Sequence, residues 1–478
     1  MNLYTLLYEW EEIHLLNNNI VENVLNAALS RGGDFAEIFV EDKMSGNIKL
    51  IGGLIENNSS GRDYGVGIRI FDKFNYIYAY TNDSSQENLI RLAKKAAAAL
   101  EGSKLDIKLS FMKYNVSNNN PIEKVFSSVP KGQKVELLKR AYDAASNYDS
   151  IISQVIVNYY EEEQKVLVAN TEGLYLTDNR TRTRFSVNSV ASKDGKMERG
   201  YYAPGASMGF EFYEKINVQD IGREASRIAK NNIFAEHCPS GTMPVIIDNG
   251  FGGVLFHEAC GHGLEASFVS KGTSAFTNKL GQLVASPLIT AIDDGTIANA
   301  WGTTNIDDEG TSTQKNILIE KGVLKSYLID KLNGRRMGMN TTGSARRQSY
   351  KYPPTSRMNN TYIGSGDSTL EEIISSTESG LYAKNLGGGS VNPATGNFNF
   401  VVLEGYLVKN GRISKAVRGA TIVGNGIKVL GLIDMVGNNL ALGQGMCGSS
   451  SGSLAVNVGQ PTIRVKQLTV GGRDGGAI

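Results

Sequence analysis

The second half of this chain is cut into short apolar runs by glycine and asparagine, and that punctuation constrains the fold more than any other feature. Beyond His237-Cys238-Pro239-Ser240-Gly241 the runs are Val245 to Asp248, Ile317 to Ile319, Leu324 to Ile329, Phe398 to Val408, Ile427 to Met435 and Thr462 to Val470. They have the length of strands, and the 54 glycines of the chain, concentrated in this half, supply tight turns between them. One stretch departs from the pattern, from about Phe251 to Val269, where apolar residues continue long enough for a helix. The spacing predicts a mainly antiparallel β domain over 243–476, a barrel or a sandwich, carrying that one helix.

The first half reads differently. Ile20, Val24, Leu25, Ala28 and Leu29 lie at helical spacing and stop at Gly32-Gly33. Strand-like runs follow at Phe35 to Val40, Ile48 to Ile51, Val66 to Phe71 and Tyr76 to Tyr80, and then a periodic helix from Glu87 to Leu100. The order recurs, with a helix from Gln133 to Ala145, strands from Ile151 to Phe212 and a helix from Asp220 to Phe234. The expectation is an α+β chain: two related helix and antiparallel-sheet units, 19–102 and 130–236, ahead of the β-rich domain.

Charge and cysteine usage narrow the function. Lys and Arg number 49 against 48 Asp and Glu, so no basic surplus points to a charge-driven nucleic-acid partner. No run reaches the roughly 18–20 apolar residues that a membrane helix needs. The opening run, Leu3 to Leu16, carries Glu9, Glu11 and Glu12 without a basic leader, so it reads as neither signal peptide nor anchor. Cys238, Cys260 and Cys447 are odd in number and far apart, which fits free thiols in a reducing compartment, the cytoplasm.

Chemistry concentrates at Phe256-His257-Glu258-Ala259-Cys260-Gly261-His262. Zinc peptidases place two His at i and i+4 on one helix face with Glu beside the first. Here the second His is at i+5, about 140° round a regular helix. A π-type bulge, most easily placed at Gly261, would return both rings to one side. A catalytic zinc needs a third protein ligand and an open position. Glu265 is the local candidate; Cys447, in the glycine-bracketed Gly445-Met446-Cys447-Gly448 turn, is the stronger one. Cys260 reads as a small core residue. Glu258, beside a ligand, is placed to serve as general base. Arg346, Arg347 and Tyr350 are candidate donors to the substrate or its oxyanion, or else ordinary surface residues. Asp307-Asp308-Glu309 reads as an acidic turn, with a second cation site or support for the histidines as alternatives. Gly387-Gly388-Gly389 is either a point of close backbone approach or a loop. His14 and His237 have no partner at a useful spacing.

Several long motifs together resemble the TldD/PmbA family of metallopeptidases: Asp248-Asn249-Gly250 through Ala266, Ile306 to Thr311, Arg346 to Tyr350, Arg357 to Ile363, Gly387 to Gly389 with Asn392-Pro393, and Met446-Cys447-Gly448. The resemblance implies Zn2+ held by His257, His262 and Cys447, with Glu258 as acid/base. It implies cleavage of extended or unfolded peptides inside a homodimer, or a heterodimer with a family partner that lacks the motif. Where the family usually carries Lys-Asp-Gly-Gln after Cys-Gly, this chain reads Ser449-Ser450-Ser451-Gly452, so substrate selection near Cys447 is expected to differ. The alternative from another class is a non-catalytic peptide-binding or modulator protein with a structural zinc.

Overall fold

The β-branched and aromatic runs of the first half join into strands much longer than the apolar stretches themselves. In the computed structural model, which describes residues 15–105, 109–112, 116–392 and 395–472, Phe35–Ile51 pairs with Leu54–Asp72 and Ile152–Asn170 pairs with Tyr175–Lys193. Most of the Leu3 to Leu16 run, His14 and Pro393 lie outside the described residues. Phe35 to Val40 and Ile48 to Ile51, expected as separate strands, are the two ends of one. Pairing carries the backbone across the polar middle: Leu54 to Arg62 is exposed on both faces and held by its ladder to residues 44–51. Apolar patterning marks only where a strand is buried, so it under-reads such a hairpin.

The helix, meander, helix order does occur twice, and the two meanders meet at their first strands. Phe35–Ile51 runs antiparallel to Ile152–Asn170 from Glu37 opposite Asn170 to Ile51 opposite Ile156, which makes one seven-stranded sheet. Helices Asn18–Ala28 and Val218–Phe234 are capped by the side chains of Asn17 and Asn217. Strand alternation then divides the sheet's duties. Ala36, Ile38 and Val40 pack among residues of helices Asn18–Ala28 and Gln86–Ala97. Phe39 on the other face meets Ile306 and Tyr350 of the second half.

That second half is a closed five-stranded barrel beside a six-stranded sheet. Ser379–Val391, Gly241–Ile247, Ile463–Gly471, Thr421–Asn425 and Asn397–Lys409 pair in that order, and Ser379–Val391 pairs again with Asn397–Lys409 to close the ring. The pairing is mainly antiparallel; Gly241–Ile247 is parallel to Ser379–Val391. Gly387 to Gly389 lies within a barrel strand, and a Cβ on Gly389 would lie 2.2 Å from the Asn399 carbonyl, so strand packing is what demands glycine there. Two expected strands are corrected. Of the Leu324 to Ile329 run only Leu324 is strand, as the end of Val323–Leu324, and Asp330 then caps helix Lys331–Met337 by accepting from the Asn333 amide. Ile427 to Met435 divides into helix Gly426–Leu432 and strand Ile433–Val436, an ambiguity inherent in short apolar runs.

Asp307-Asp308-Glu309, read as an acidic turn, does turn at Asp308-Glu309, but it is buried and joins the two halves. Arg69 bridges Glu37 and Glu309 at 2.8 and 2.5 Å, Arg347 holds the other oxygen of Glu37 at 2.8 Å, and Arg180 meets Asp308 at 2.6 Å. Burial pushes the Glu309 carboxyl up to about 7, with Arg69 opposing and Asp330 and Glu37 reinforcing the rise. A carboxyl raised above its ordinary 4.5 stabilises the fold fully below that pH and loses the contribution as pH climbs through 7. Chemical denaturation at pH 5 and pH 8 should therefore show Glu309→Gln gaining on the parent by up to about 3 kcal/mol at the higher pH. An equal difference at both pH values would mean that Glu309 is ionised throughout.

Candidate metal centre

The helix expected over 251–269 is broken into four pieces, and the breaks bring its histidines together. A 3-10 turn, Phe251–Gly253, leads into the α-helix Val254–Ala259, which carries His257 and Glu258. Cys260 leaves the helical region at φ −132°, and a second 3-10 turn, Gly261–Leu264, carries His262. The distortion expected from the i+5 spacing is present, but as a helix end followed by a tighter turn, not a π bulge. It falls at Cys260. Gly261 serves a packing need instead, since a Cβ there would lie 2.3 Å from the Met358 sulfur. Cys260 is fully buried in the core, where burial pushes its thiol up.

Cys447 arrives from the other side, on Ala441–Ser449, the edge strand of the six-stranded sheet. Its Sγ lies 3.2 Å from His257 Nε2 and 3.3 Å from His262 Nε2. The rings stand nearly perpendicular, 82°, with centroids 5.2 Å apart. All three side chains are buried, and their ligand atoms lie within 4.8 Å of one another. With Zn–S near 2.3 Å and Zn–N near 2.0–2.1 Å, tetrahedral angles require S···N of about 3.5 Å, so the observed triangle is the right size for one such ion. Burial alone would raise the Cys447 thiol, but the two imidazoles overcome it and draw it down to about 3. The three candidate ligands are thus a thiolate and two imidazole rings.

Glu265, expected as the alternative ligand, takes a supporting place. Its Oε1 lies 3.0 Å from His262 Nδ1, which turns Nε2 toward Cys447. Glu265 is fully buried, with Arg357 Nε 3.9 Å away. Arg357 also donates to the Cys447 carbonyl at 2.5 Å and to Ser451 Oγ at 2.9 Å. One buried guanidinium therefore ties the histidine's carboxylate to the cysteine's backbone. Sequence spacing flagged Glu265; Arg357 stood only at the head of a family motif, with no role read from it. The Ser449-Ser450-Ser451-Gly452 departure is the hairpin tip after Cys447, fixed by Arg357 and by the Gln348 amide on the Ser451 carbonyl. Among the described residues, Glu258 is the carboxylate that faces this triad with no partner closer than 3.7 Å, the distance to His262 Nε2, and it is 24% exposed.

The other expected site residues are placed apart from the triad. Arg346 is buried and donates to the carbonyls of Met358 and Ala455. Tyr350 packs its ring with Phe39 and Val166, its amide donates to Glu41, and its carbonyl accepts from Tyr78. Neither side chain hydrogen-bonds to His257, Glu258, His262 or Cys447. Arg347 and the Asp307-Asp308-Glu309 run belong to the ion-pair network between the halves.

Comparison with known proteins identifies the family of the chain. Models of PmbA/TldA metallopeptidase domain 1, central domain and C-terminal domain match residues 36–100, 124–233 and 240–472. A protein named metalloprotease TldD homolog from Buchnera aphidicola is 38% identical over 470 residues, covering 96% of each chain. A protein of Saccharolobus solfataricus named zinc metalloprotease TldD homolog is 27% identical over 71% of this chain and 76% of its own. The crystal structure of TldE from Thermococcus kodakarensis superposes with a TM-score of 0.75 at 20% identity, covering 94% of this chain and 99% of that one, a likeness of fold.

Proposed function

The chain belongs to the PmbA/TldD metallopeptidase family, and from that premise we propose that it is a zinc-dependent peptidase hydrolysing extended or unfolded peptides at the His257, His262 and Cys447 centre. The observation that carries the reading is the unengaged Glu258 carboxylate beside a closed two-imidazole, one-thiolate triangle. A purely structural zinc site has no use for that carboxylate, and its fourth ligand would be another Cys or His; among the described residues the cluster holds three.

Zinc held by these three side chains supplies Lewis acidity, lowering the pKa of a water towards about 7 and polarising the scissile carbonyl. The chain's own groups do the rest. Glu258 accepts a proton from the attacking water as its oxygen bonds the carbonyl carbon, then passes that proton to the amine nitrogen as the C–N bond breaks. Glu265 holds His262 by its Nδ1 throughout, and Arg357 fixes the strand that brings Cys447. Ala441–Ser449 is a sheet edge, so a substrate adding as a further strand would run past Cys447 and be read by its main chain. That mode suits extended peptides of varied sequence.

The partner, in this reading, is a second copy or a motif-lacking family member, and the compartment is the cytoplasm, in keeping with three free cysteines. No helix among the described residues is long and apolar enough to cross a membrane. Zinc-loaded protein should digest casein, an unstructured polypeptide, and lose that activity on chelation and regain it on zinc addition. Failure of the zinc-loaded protein, alone and mixed with a motif-lacking relative, would favour the binding-protein reading.

A further inference from the structure

Between the N-terminal sheet and the strand that carries Cys447 lies a cavity of about 430 Å³. Its floor is one face of the sheet, where Tyr160, Glu162 and Gln164 stand directly opposite Arg184, Arg182 and Arg180. Six cations line it, Lys43, Arg180, Arg182, Arg184, Arg346 and Arg347, against three carboxylates, Glu162, Asp307 and Asp308.

The cations differ in how well they are answered. Arg180 is paired with Asp178 and Asp308, Arg347 with Glu37, and Lys43 with Glu41. Arg182 reaches Glu162 only at 3.4 Å. Arg184 donates to the carbonyls of Ala203 and Gln444, and Arg346 to those of Met358 and Ala455; neither has a carboxylate within ion-pair distance among the described residues. Burial, and then repulsion from Arg182, pull the Arg346 guanidinium down to about 9. Buried charge left in this state favours an entering anion.

The cavity also borders the edge strand along which the substrate of the peptidase reading would run. Met446, the residue before Cys447, lines it, while Arg184 and the Trp301 indole hold the carbonyls of Gln444 and Gly445. At about 3.3 Å per residue, these contacts fall within roughly 10 Å of Cys447 along the edge strand. Met446, Leu454 and Ile306 give it an apolar wall beside the guanidinium end. A short aliphatic stem ending in a carboxylate matches that combination better than a bare phosphate does.

We propose that this cavity is a carboxylate subsite, taking an acidic group of the peptide whose main chain runs beside Ala441–Ser449: an Asp or Glu side chain, or the chain-terminal carboxylate, within about three residues of the scissile bond. The inference rests on the peptidase reading for its substrate, and binding to a protein that cannot turn over separates the two.

The test uses full-length, zinc-loaded Glu258→Gln protein and fluorescence anisotropy of short unstructured peptides. The set contains a neutral peptide amide, the same amide with one Glu at successive positions, and the neutral peptide as free acid. A carboxylate peptide should bind at least about tenfold more tightly than the neutral amide, the gain expected of a charge-assisted hydrogen bond. Tighter binding of the Glu peptides assigns the side chain, and of the free acid the chain end. The preference should shrink to about twofold or less in Arg184→Gln and in Arg182→Gln, each checked for native unfolding cooperativity; these two positions provide for one variant failing to fold. Equal binding of neutral and acidic peptides, no binding of any, or a preference that survives both substitutions would overturn the subsite. Casein digestion without a carboxylate preference would leave the peptidase reading standing and remove the subsite; a preference without digestion would do the reverse.

Discussion

Glu258→Gln is expected to lower peptide hydrolysis by about 10²–10⁴-fold with zinc content near one per chain, the range assigned to loss of a positioned acid/base group. The geometry separates the two effects. Glu258 Oε2 lies 3.7 Å from His262 Nε2, too far for a hydrogen bond that would hold the ligand. Positioning of the histidines instead comes from Glu265, Phe256 packing and the turn at Cys260. Gln keeps the shape and the acceptor oxygen but cannot take a proton at neutral pH, so the loss should fall on kcat and leave metal affinity within a few fold. Metal analysis and turnover on one preparation decide it. Loss of zinc together with activity would make Glu258 a structural member of the centre, and unchanged turnover would remove it from the chemistry.

The two histidines and Glu258 were legible because their pattern is local: three such residues within six positions admit few other uses. The third candidate ligand was harder, since Cys447 is 185 residues from His262, and only its glycine-bracketed turn and the family likeness pointed to it. Arg357 entered only as the first residue of a family motif, with no role attached. Its function depends on being fully buried between Glu265 and the Cys447 carbonyl, a contact between elements about 90 residues apart that no local pattern encodes. Arg346 and Tyr350 show the converse. A basic-aromatic loop looks like an exposed surface in sequence, but both side chains are buried, Tyr350 in the Phe39 cluster and Arg346 against the Met358 and Ala455 carbonyls in the wall of the cavity beside Met446. The fold follows the same rule. Helices with a clear apolar period, such as Val218–Phe234, were read nearly to their ends, while short runs such as Ile427 to Met435 depended on packing that periodicity does not record.

Cys447→Ser should cost more zinc affinity than the roughly 10–100-fold typical of losing an outer partner of a ligand, and should abolish hydrolysis with it. Serine matches the size of cysteine but stays a neutral hydroxyl where the parent presents a thiolate drawn down to about 3 by the flanking imidazoles. The substitution also changes how binding depends on pH. Burial opposes a proton on His262, but Glu265 and the Cys447 thiolate outweigh it and hold the ring's pKa well above 6.5. In the metal-free parent near neutral pH, then, His262 carries a proton that zinc must displace, whereas Cys447 has already lost its own. Affinity should fall about tenfold for each unit that pH drops below the His262 pKa, one power of ten for the proton released. In Cys447→Ser the thiolate no longer retains that proton, so the His262 pKa should fall and the window of steep pH dependence should move to lower pH, at weaker affinity throughout. Competitive titration with a zinc-chelating dye across pH measures both quantities. A variant that keeps parental affinity and the parental pH window would exclude Cys447 as a ligand. Cys260→Ser is the matched control, since its thiol is buried in the core and stands outside the His257, His262 and Cys447 cluster, so it should retain both.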